Sequence, residues 1–568
     1  MSRVVPHIPL LCILAALAQN SLAFGNALNE RAAAAAATDF DWYSLPPSEN
    51  ITWTDCGSGH KCARLSLPLD YSRESDGPKT DIALQMLPAN DTANHKGTIL
   101  INPGGPGISG TQYVVTTGPE IAAMVGPEWD ILGFDARGTG ATTPVAQCFQ
   151  SESEVDTWNT KASLVYNASD DSVPYMRSRN EAIAQMCAKT LGGNGKEDAN
   201  GTAEEWGPGR FMDTGSTATD MLRITQKLGQ DKLHYFGVSY GTVLGQFFAS
   251  MFPDKVGKMV IDGVCDADHY QWNKNLVDYD AVVAGFYQYC YEAGPSVCPL
   301  YEASPDKIKA RVENIINDVA PLAVPFATGG PVVLKKQDVW LQQFGSVYAP
   351  VTAFPVLATN LVALEQNNQT FLETADFVTG SAPVCSSSTD PSPWLRTNQA
   401  APAIACGDWP LDDFDSVFTE LVNESPIAGP VWVQNAMACS TWKIKAKKRF
   451  QGPFSGNTST PIFVISNLLD PVCPLVTAKT VHSRFAGSGL LVQNSTGHVA
   501  TVTPSDCTAK AVGAYFANGT LPSEGTVCQP NVLPFNVAPV GGSNVTKRSP
   551  DAPSWKRAGA HFNRGRWL

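Results

Sequence analysis

"KLHYFGVSYGTVLGQFFASMFPDKVGKMVIDGV", Lys232 to Val264, decides the fold. A short apolar run ends in Gly237, a single serine stands between two glycines, a helix-like stretch follows, and "KMVIDGV" is a second apolar run. Strand, tight turn, helix and strand in that order predict a parallel α/β sheet with right-handed crossovers. Gly237-Val238-Ser239-Tyr240-Gly241 is also the chain's one match to G-x-S-x-G. In that motif a sharp strand-to-helix turn lifts the serine oxygen above the sheet edge, and the glycines let neighbouring backbone approach.

On the N-terminal side, "TATDMLRITQKLG" has apolar residues at helical spacing and closes on Gly229 as a C-cap. Before it, "TDIALQML", "GTILINPGGPGISG" and "WDILGFDARGTG" read as strands ending in polar or glycine-rich loops. On the C-terminal side the texture becomes aromatic and helix-like, as in "YDAVVAGFYQYCYEAG", and strand patterns return with "TPIFVISNLLD" and "SGLLVQNSTGH". The expected architecture is a mostly parallel sheet flanked by helices and interrupted by an inserted, mainly helical cap. Residues 46–265 form the first part of the core, 266–455 the cap and 456–530 the second part of the core.

The chain has 568 residues, 43% hydrophobic and 16% charged, with a net charge of −13. There is no cationic excess to neutralise phosphates and no polybasic segment, so neither a nucleic acid nor a membrane surface is an expected partner. "MSRVVPHIPLLCILAALAQNSLAF" carries an early cation, a short apolar stretch and a small-residue cleavage site, which predicts a signal peptide over 1–23. A low-complexity leader over 24–45 and a Pro/Gly/Ser-rich tail over 531–568 bracket the folded part. Asn-x-Ser/Thr sequons begin at Asn50, Asn90, Asn167, Asn200, Asn368, Asn423, Asn457, Asn494, Asn518 and Asn544. They fit a secreted glycoprotein. Of 14 cysteines, Cys12 would leave with the signal. The rest should form disulfides with at least one thiol left over, Cys56–Cys62, Cys290–Cys298 and Cys507–Cys528 being near pairs. Cys and His do not cluster at ligand spacing, and no phosphate-cradling glycine motif accompanies "NPGGPG", so no metal or other cofactor is expected.

An alcohol is a poor nucleophile near neutral pH, so Ser239 needs a base and the base an orienting carboxylate. After an elbow of this kind the order is serine, acid, histidine. His498 comes straight after a strand and a Ser-Thr-Gly turn, whereas His482 sits in a helical stretch and His561 in the tail. Asp470 ends the preceding strand, with Pro471 behind it. The backbone N–H of Tyr240 and that of Gly105, within "NPGGPG", are the expected oxyanion donors. Asp135 and Arg137, in "FDARGTGATTP", should make structural ion pairs or hydrogen bonds.

"NPGGPG", "DARGTG", "GVSYGT", "DPVCP" and "GH" resemble, in this order, the secreted tripeptidyl aminopeptidase and prolyl iminopeptidase group of α/β-hydrolase serine peptidases. "CTAKAVGAYFANGTLPSEGTVCQPN" is similar to that group's tripeptidyl-aminopeptidase-like C-terminal region, and the likeness runs from about Trp53 to Pro530. The resemblance implies an α/β-hydrolase fold and exopeptidase action. It also implies that acidic cap residues bind the substrate's α-amine, with Asp408, Asp412, Asp413 and Asp415 of "CGDWPLDDFDS" as candidates, Asp408 first. The sequence departs from the group's pattern at Asn102-Pro103 in the glycine loop, at Val499 where glycine is frequent, and at Cys473 where threonine is frequent. Because fold and triad do not fix the acyl group, an esterase or tailoring hydrolase is the competing enzyme reading. A catalytically dead binding protein on the same scaffold is the reading from another class.

Overall fold

The computed structural model describes residues 40–537 apart from 160, 161, 163, 164, 168, 169, 194–206, 269, 271–274, 319, 320, 328, 329, 376 and 379–396. The proposed signal peptide, most of the leader and most of the tail lie outside the described residues, as do Asn200, Cys385 and Asn544.

Strands β1 (Thr54–Asp55), β2 (Lys61–Pro68) and β3 (Lys79–Leu87) precede β4 (Gly97–Asn102), helix α1 (Gly110–Val125) and β5 (Trp129–Phe134). Helices α2 (Glu152–Asn159) and α3 (Ser172–Leu191) come before α4 (Thr214–Lys227), β6 (Leu233–Val238), α5 (Tyr240–Met251) and β7 (Val256–Asp262). Then follow α6 (Tyr279–Ala293), α7 (Pro305–Asp318), strands β8 (Leu322–Val324) and β9 (Val332–Leu334), α8 (Lys336–Ser346), α9 (Pro350–Glu365) and α10 (Gln369–Leu372). Helices α11 (Thr397–Asp408), α12 (Phe414–Glu424) and α13 (Gly429–Thr441) complete this part. The chain re-enters the sheet with β10 (Phe463–Leu469), α14 (Leu475–Arg484), β11 (Gly489–Thr496), α15 (Asp506–Asn518) and β12 (Val527–Cys528).

The ten-stranded sheet has the order β1-β2-β3-β5-β4-β6-β7-β10-β11-β12. Pairings from β5 through β12 are parallel; β1·β2, β2·β3 and β3·β5 are antiparallel. The central strands are apolar on both faces because helices cover both. The period of two sorts them: Ile99, Ile101, Phe236, Val260 and Phe463 pack under α1 and α15. Leu100, Tyr235, Met259, Ile261 and Val464 pack under α4, α5 and α14. Helix α5 is buried from Tyr240 to Ala249, which explains why "YGTVLGQFFA" is apolar around its circumference. The strand order reverses between β4 and β6, and the crevice above such a point is where open α/β sheets bind ligands.

The cap has its own apolar core, built from α6–α10, α12 and α13, with Phe286, Phe354, Leu361 and Val431 nearly solvent-free. Two segments join it that the sequence reading placed elsewhere. Tyr166 and Met176 of the excursion between β5 and α4 belong to the same cluster, and α3 packs on α13. At the other end Phe535 inserts against Phe286, so residues 531–537 are folded onto the cap rather than part of a free tail. Residues 40–45 are packed too: Trp42 is buried beside Cys62 and Ala83.

Among the described residues there are six disulfides: Cys56–Cys62, Cys148–Cys187, Cys265–Cys473, Cys290–Cys298, Cys406–Cys439 and Cys507–Cys528. The three near pairs are among them. No cysteine is free among the described residues, and Cys385 lies outside them. Among the described residues no helix is long and apolar enough to cross a membrane.

Candidate active site

Ser239 follows the last residue of β6 with φ 55° and ψ −128°, a conformation rare for a residue with a side chain. Its N–H donates to the Asp262 carbonyl at 3.1 Å, and its own carbonyl accepts from the N–H and hydroxyl of Thr242 at 2.8 and 2.6 Å. The close approach that the motif requires is visible in two glycines. A Cβ on Gly241 would stand 2.6 Å from the Asn102 carbonyl oxygen. One on Gly104 would stand 2.8 Å from Ser239 Cβ and 2.9 Å from the Tyr240 nitrogen, at a φ of 96° that favours glycine in any case.

Asp470 and His498 come together after the ends of β10 and β11. The Asp470 carboxylate is fully buried and receives His498 Nδ1 at 2.9 and 3.1 Å. The same carboxylate accepts the N–H groups of Val472, Cys473 and Val499 at 2.9, 2.8 and 2.9 Å. With Nδ1–H donating to this carboxylate, Nε2 is left as the imidazole's free lone pair. Val499 takes φ 72°, where a β-branched side chain is strained by about 1–3 kcal/mol, so the glycine common at this position has a steric reason. Cys473, the other departure, is bonded to Cys265, which ties the Asp470 loop to the end of β7.

The loop after β4 divides its donors. The Gly104 N–H is taken by the Asn102 side chain at 3.0 Å, so Asn102 has a backbone-shaping role. Among the described residues nothing accepts from the N–H of Gly105 or of Tyr240, the two donors named from the sequence. Two tyrosines bring the cap onto these loops: the Tyr270 hydroxyl donates to the Gly105 carbonyl at 2.8 Å, and the Tyr348 carbonyl accepts the His498 N–H at 2.9 Å. The Tyr348 ring also meets the imidazole edge-on, with centroids 5.4 Å apart.

The expected amine contact at Asp408 meets a different arrangement. Its carboxylate is buried and accepts the Thr214 N–H at 3.0 Å and the Thr214 hydroxyl, at the start of α4. Burial, reinforced by neighbouring Asp213, holds it well above the usual carboxylate range. A carboxyl already bonded and kept toward its neutral form is a poor ammonium partner. In the same acidic turn Asp413 caps α12 through the Ser416 N–H, and Asp415 forms an exposed pair with Arg177. Asp135 and Arg137 are structural as expected. Asp135 collects Ser109, Thr111 and Ala141, and Arg137 pairs bidentately with Asp220 while capping the carbonyls of Pro68, Leu69 and Phe211.

Asp262 carries no role in the sequence reading. It ends β7 with no solvent exposure, and its carboxylate accepts Ala500 N–H at 2.9 Å and Thr501 N–H at 3.0 Å. A carboxylate directly after the buried apolar run Met259–Ile261 was the available signal.

An elbow serine at the reversal point of a parallel sheet, with a histidine–carboxylate pair on the next strand ends, defines a serine hydrolase of the α/β-hydrolase fold, and the chain is one. It matches the α/β hydrolase fold family over residues 97–297 and the TAP-like protein family over residues 425–528. It is 26% identical to the serine protease Hip1 of Mycobacterium tuberculosis, covering 84% of this chain and 91% of that one. It is 25% identical to a tripeptidyl aminopeptidase of Streptomyces lividans, covering 85% and 87%. Carboxylesterase B of Mycobacterium tuberculosis is also 25% identical, over 83% and 86%.

Proposed function

We propose that the protein is a secreted serine exopeptidase that releases amino acids or short peptides from free N-termini through an acyl-enzyme on Ser239. His498 takes the serine proton through Nε2 as the oxygen attacks the carbonyl, and returns it to the leaving amine. Asp470 fixes the imidazole tautomer and stabilises its cation without accepting the proton. The N–H groups of Gly105 and Tyr240 receive the negative charge on the tetrahedral oxygen, and water then enters by the reverse path. The observation that carries this reading is the Asp470–His498 pair standing beside an elbow whose two oxyanion donors have no partner among the described residues. Likeness to two peptidases over most of the chain favours a peptide substrate.

Export into an oxidising compartment is part of the proposal. Six disulfides and exposed sequon asparagines at Asn50, Asn90, Asn368, Asn423, Asn457 and Asn518 support it. The second reading, an esterase acting on a small acyl substrate, is favoured by the carboxylesterase relative.

Mass spectrometry of products from a peptide library with free and blocked N-termini separates the readings. Short N-terminal products from free peptides only are expected. Equal cleavage of blocked peptides would remove the exopeptidase claim, and turnover of esters alone would select the second reading. Ser239→Ala should abolish turnover and fluorophosphonate labelling with the fold intact; retained turnover would overturn the nucleophile assignment.

A further inference from the structure

Two carboxylates hold four consecutive residues of the loop that carries His498. Asp470 takes the His498 Nδ1–H and the Val499 N–H; Asp262 takes the next two, the N–H groups of Ala500 and Thr501 at 2.9 and 3.0 Å. Between the two anchors sits Val499 at φ 72°, a backbone state that this side chain does not hold unaided. The chain just beyond Asp262 presses on the same turn, since a Cβ on Gly263 would stand 3.0 Å from Val499 Cγ2. Asp262 also reaches the other catalytic loop, because its carbonyl accepts the Ser239 N–H at 3.1 Å.

We propose that Asp262 is a positioning residue for the proposed hydrolysis: it fixes the strained turn after His498 from the elbow side and so keeps Nε2 in register with Ser239. One residue thereby indexes the nucleophile through its backbone and the base through its side chain. The strain at Val499 makes the second anchor necessary, and a chain with glycine at 499 would depend on it less. Asp262 does not touch substrate and exchanges no proton with it. The inference rests on His498 being the base.

The test compares Asp262→Asn, Val499→Gly and the double variant, each assayed for kcat, KM and fluorophosphonate acylation rate. Asp262→Asn keeps the shape but turns an N–H donor toward one of the two backbone donors. It is expected to lower kcat and acylation at least tenfold with KM within twofold, and hydrogen exchange should speed up at residues 497–503. In the Val499→Gly background the same change should cost at least threefold less. Ala500→Pro, which deletes one of the two donors at the first position of a short helical turn, gives the same readout if Asp262→Asn does not fold. An unchanged kcat in Asp262→Asn, or an equal loss in both backgrounds, overturns the proposal. His498→Ala distinguishes the two layers: if it retains turnover, the base assignment fails. If it is inactive and Asp262→Asn is not impaired, only the positioning role fails.

Discussion

The sheet edge and the cap solve opposite packing problems. At the sheet edge charged groups are buried and every one is met by backbone: Asp135, Asp262 and Asp470 have no exposure and together accept the N–H groups of seven residues, Thr111, Ala141, Val472, Cys473, Val499, Ala500 and Thr501. The cap's main cluster is aromatic and aliphatic, and the ion pairs Arg177–Asp415 and Arg311–Glu365 lie at its surface. The difference teaches where function can be altered without losing the fold. Buried carboxylates with several N–H partners hold loops to within the tolerance that proton transfer needs. An apolar cap can be repacked by volume and so can vary the substrate that reaches a fixed centre.

If this division is right, the largest effect comes from Asp470→Asn. The amide keeps an oxygen where Val472, Cys473 and, at 2.9 Å, His498 Nδ1 meet the carboxylate, but turns an NH2 toward the Val499 N–H and, at 3.1 Å, toward the same Nδ1, so it removes the negative charge and lets the imidazole take the wrong tautomer. Turnover should fall by about 10⁴-fold, measured as kcat with the active-site concentration titrated. A loss under tenfold would mean that the carboxylate does not orient the base.

The second effect is on stability and has a definite sign. Burial, with help from Asp470, pushes Asp262 up to about 6 from 3.8, so between those values the folded state keeps a proton that the unfolded chain has released. Its contribution to stability is therefore greatest below about pH 4 and falls as the pH rises to about 6. His234 runs the other way: burial, with Lys258 beside it, pushes it down to about 4 from 6.5, so its contribution rises with pH over nearly the same window. The two slopes offset each other in the parent. Asp262→Asn removes one of them, and its melting temperature should rise by several degrees more than the parent's between pH 4 and 6, an effect of up to about 3 kcal/mol at 1.36 kcal/mol per pKa unit. Parallel curves for the two proteins would place the Asp262 carboxyl at an ordinary acidity.

Much of the sheet edge's layout was legible in the sequence because each candidate group there comes just after its strand: Ser239 after β6, Asp470 after β10, His498 after β11 and Gly105 after β4. Local pattern is then enough. Asp408 was not legible, since its partner Thr214 is 194 residues away and "GDWPLDDFD" says nothing of which way a carboxylate turns. The same limit applies to Cys265–Cys473, separated by 208 positions, and to α3, whose place against α13 is set by tertiary contact. Asp262 was overlooked for another reason: an aspartate before glycine at a strand end reads as a turn former, and its value lies in two backbone donors on a loop 238 residues further on.

One residue crosses the boundary between the regions and so sharpens it. Tyr270 belongs to the cap side of the chain, yet its hydroxyl holds the Gly105 carbonyl in the proposed oxyanion loop. Tyr270→Phe removes that one bond, worth about 0.5–1.5 kcal/mol, and keeps the ring packed against Tyr240 and Trp409. It should lower kcat about two- to tenfold with KM nearly unchanged. A change in KM alone would place Tyr270 on the substrate and leave the oxyanion loop independent of the cap.

The smallest effect tests the cap surface. Asp415 is 84% exposed, pairs with Arg177 at 2.8 Å and lies in the first turn of α12. An exposed pair contributes about 0.2–1 kcal/mol and a first-turn carboxylate about 0.3–1 kcal/mol. Asp415→Ala should therefore lower stability by about 0.5–2 kcal/mol, while Arg177 keeps its place over the Phe414 ring, 4.9 Å from its centroid. On the proposed mechanism its kcat and KM stay those of the parent on every peptide. A rise in KM confined to peptides with a free N-terminus would instead put the ammonium anchor in this acidic turn. That outcome would move specificity from the cap's apolar interior to its charged rim, the one place where the contrast between the two regions would have to be redrawn.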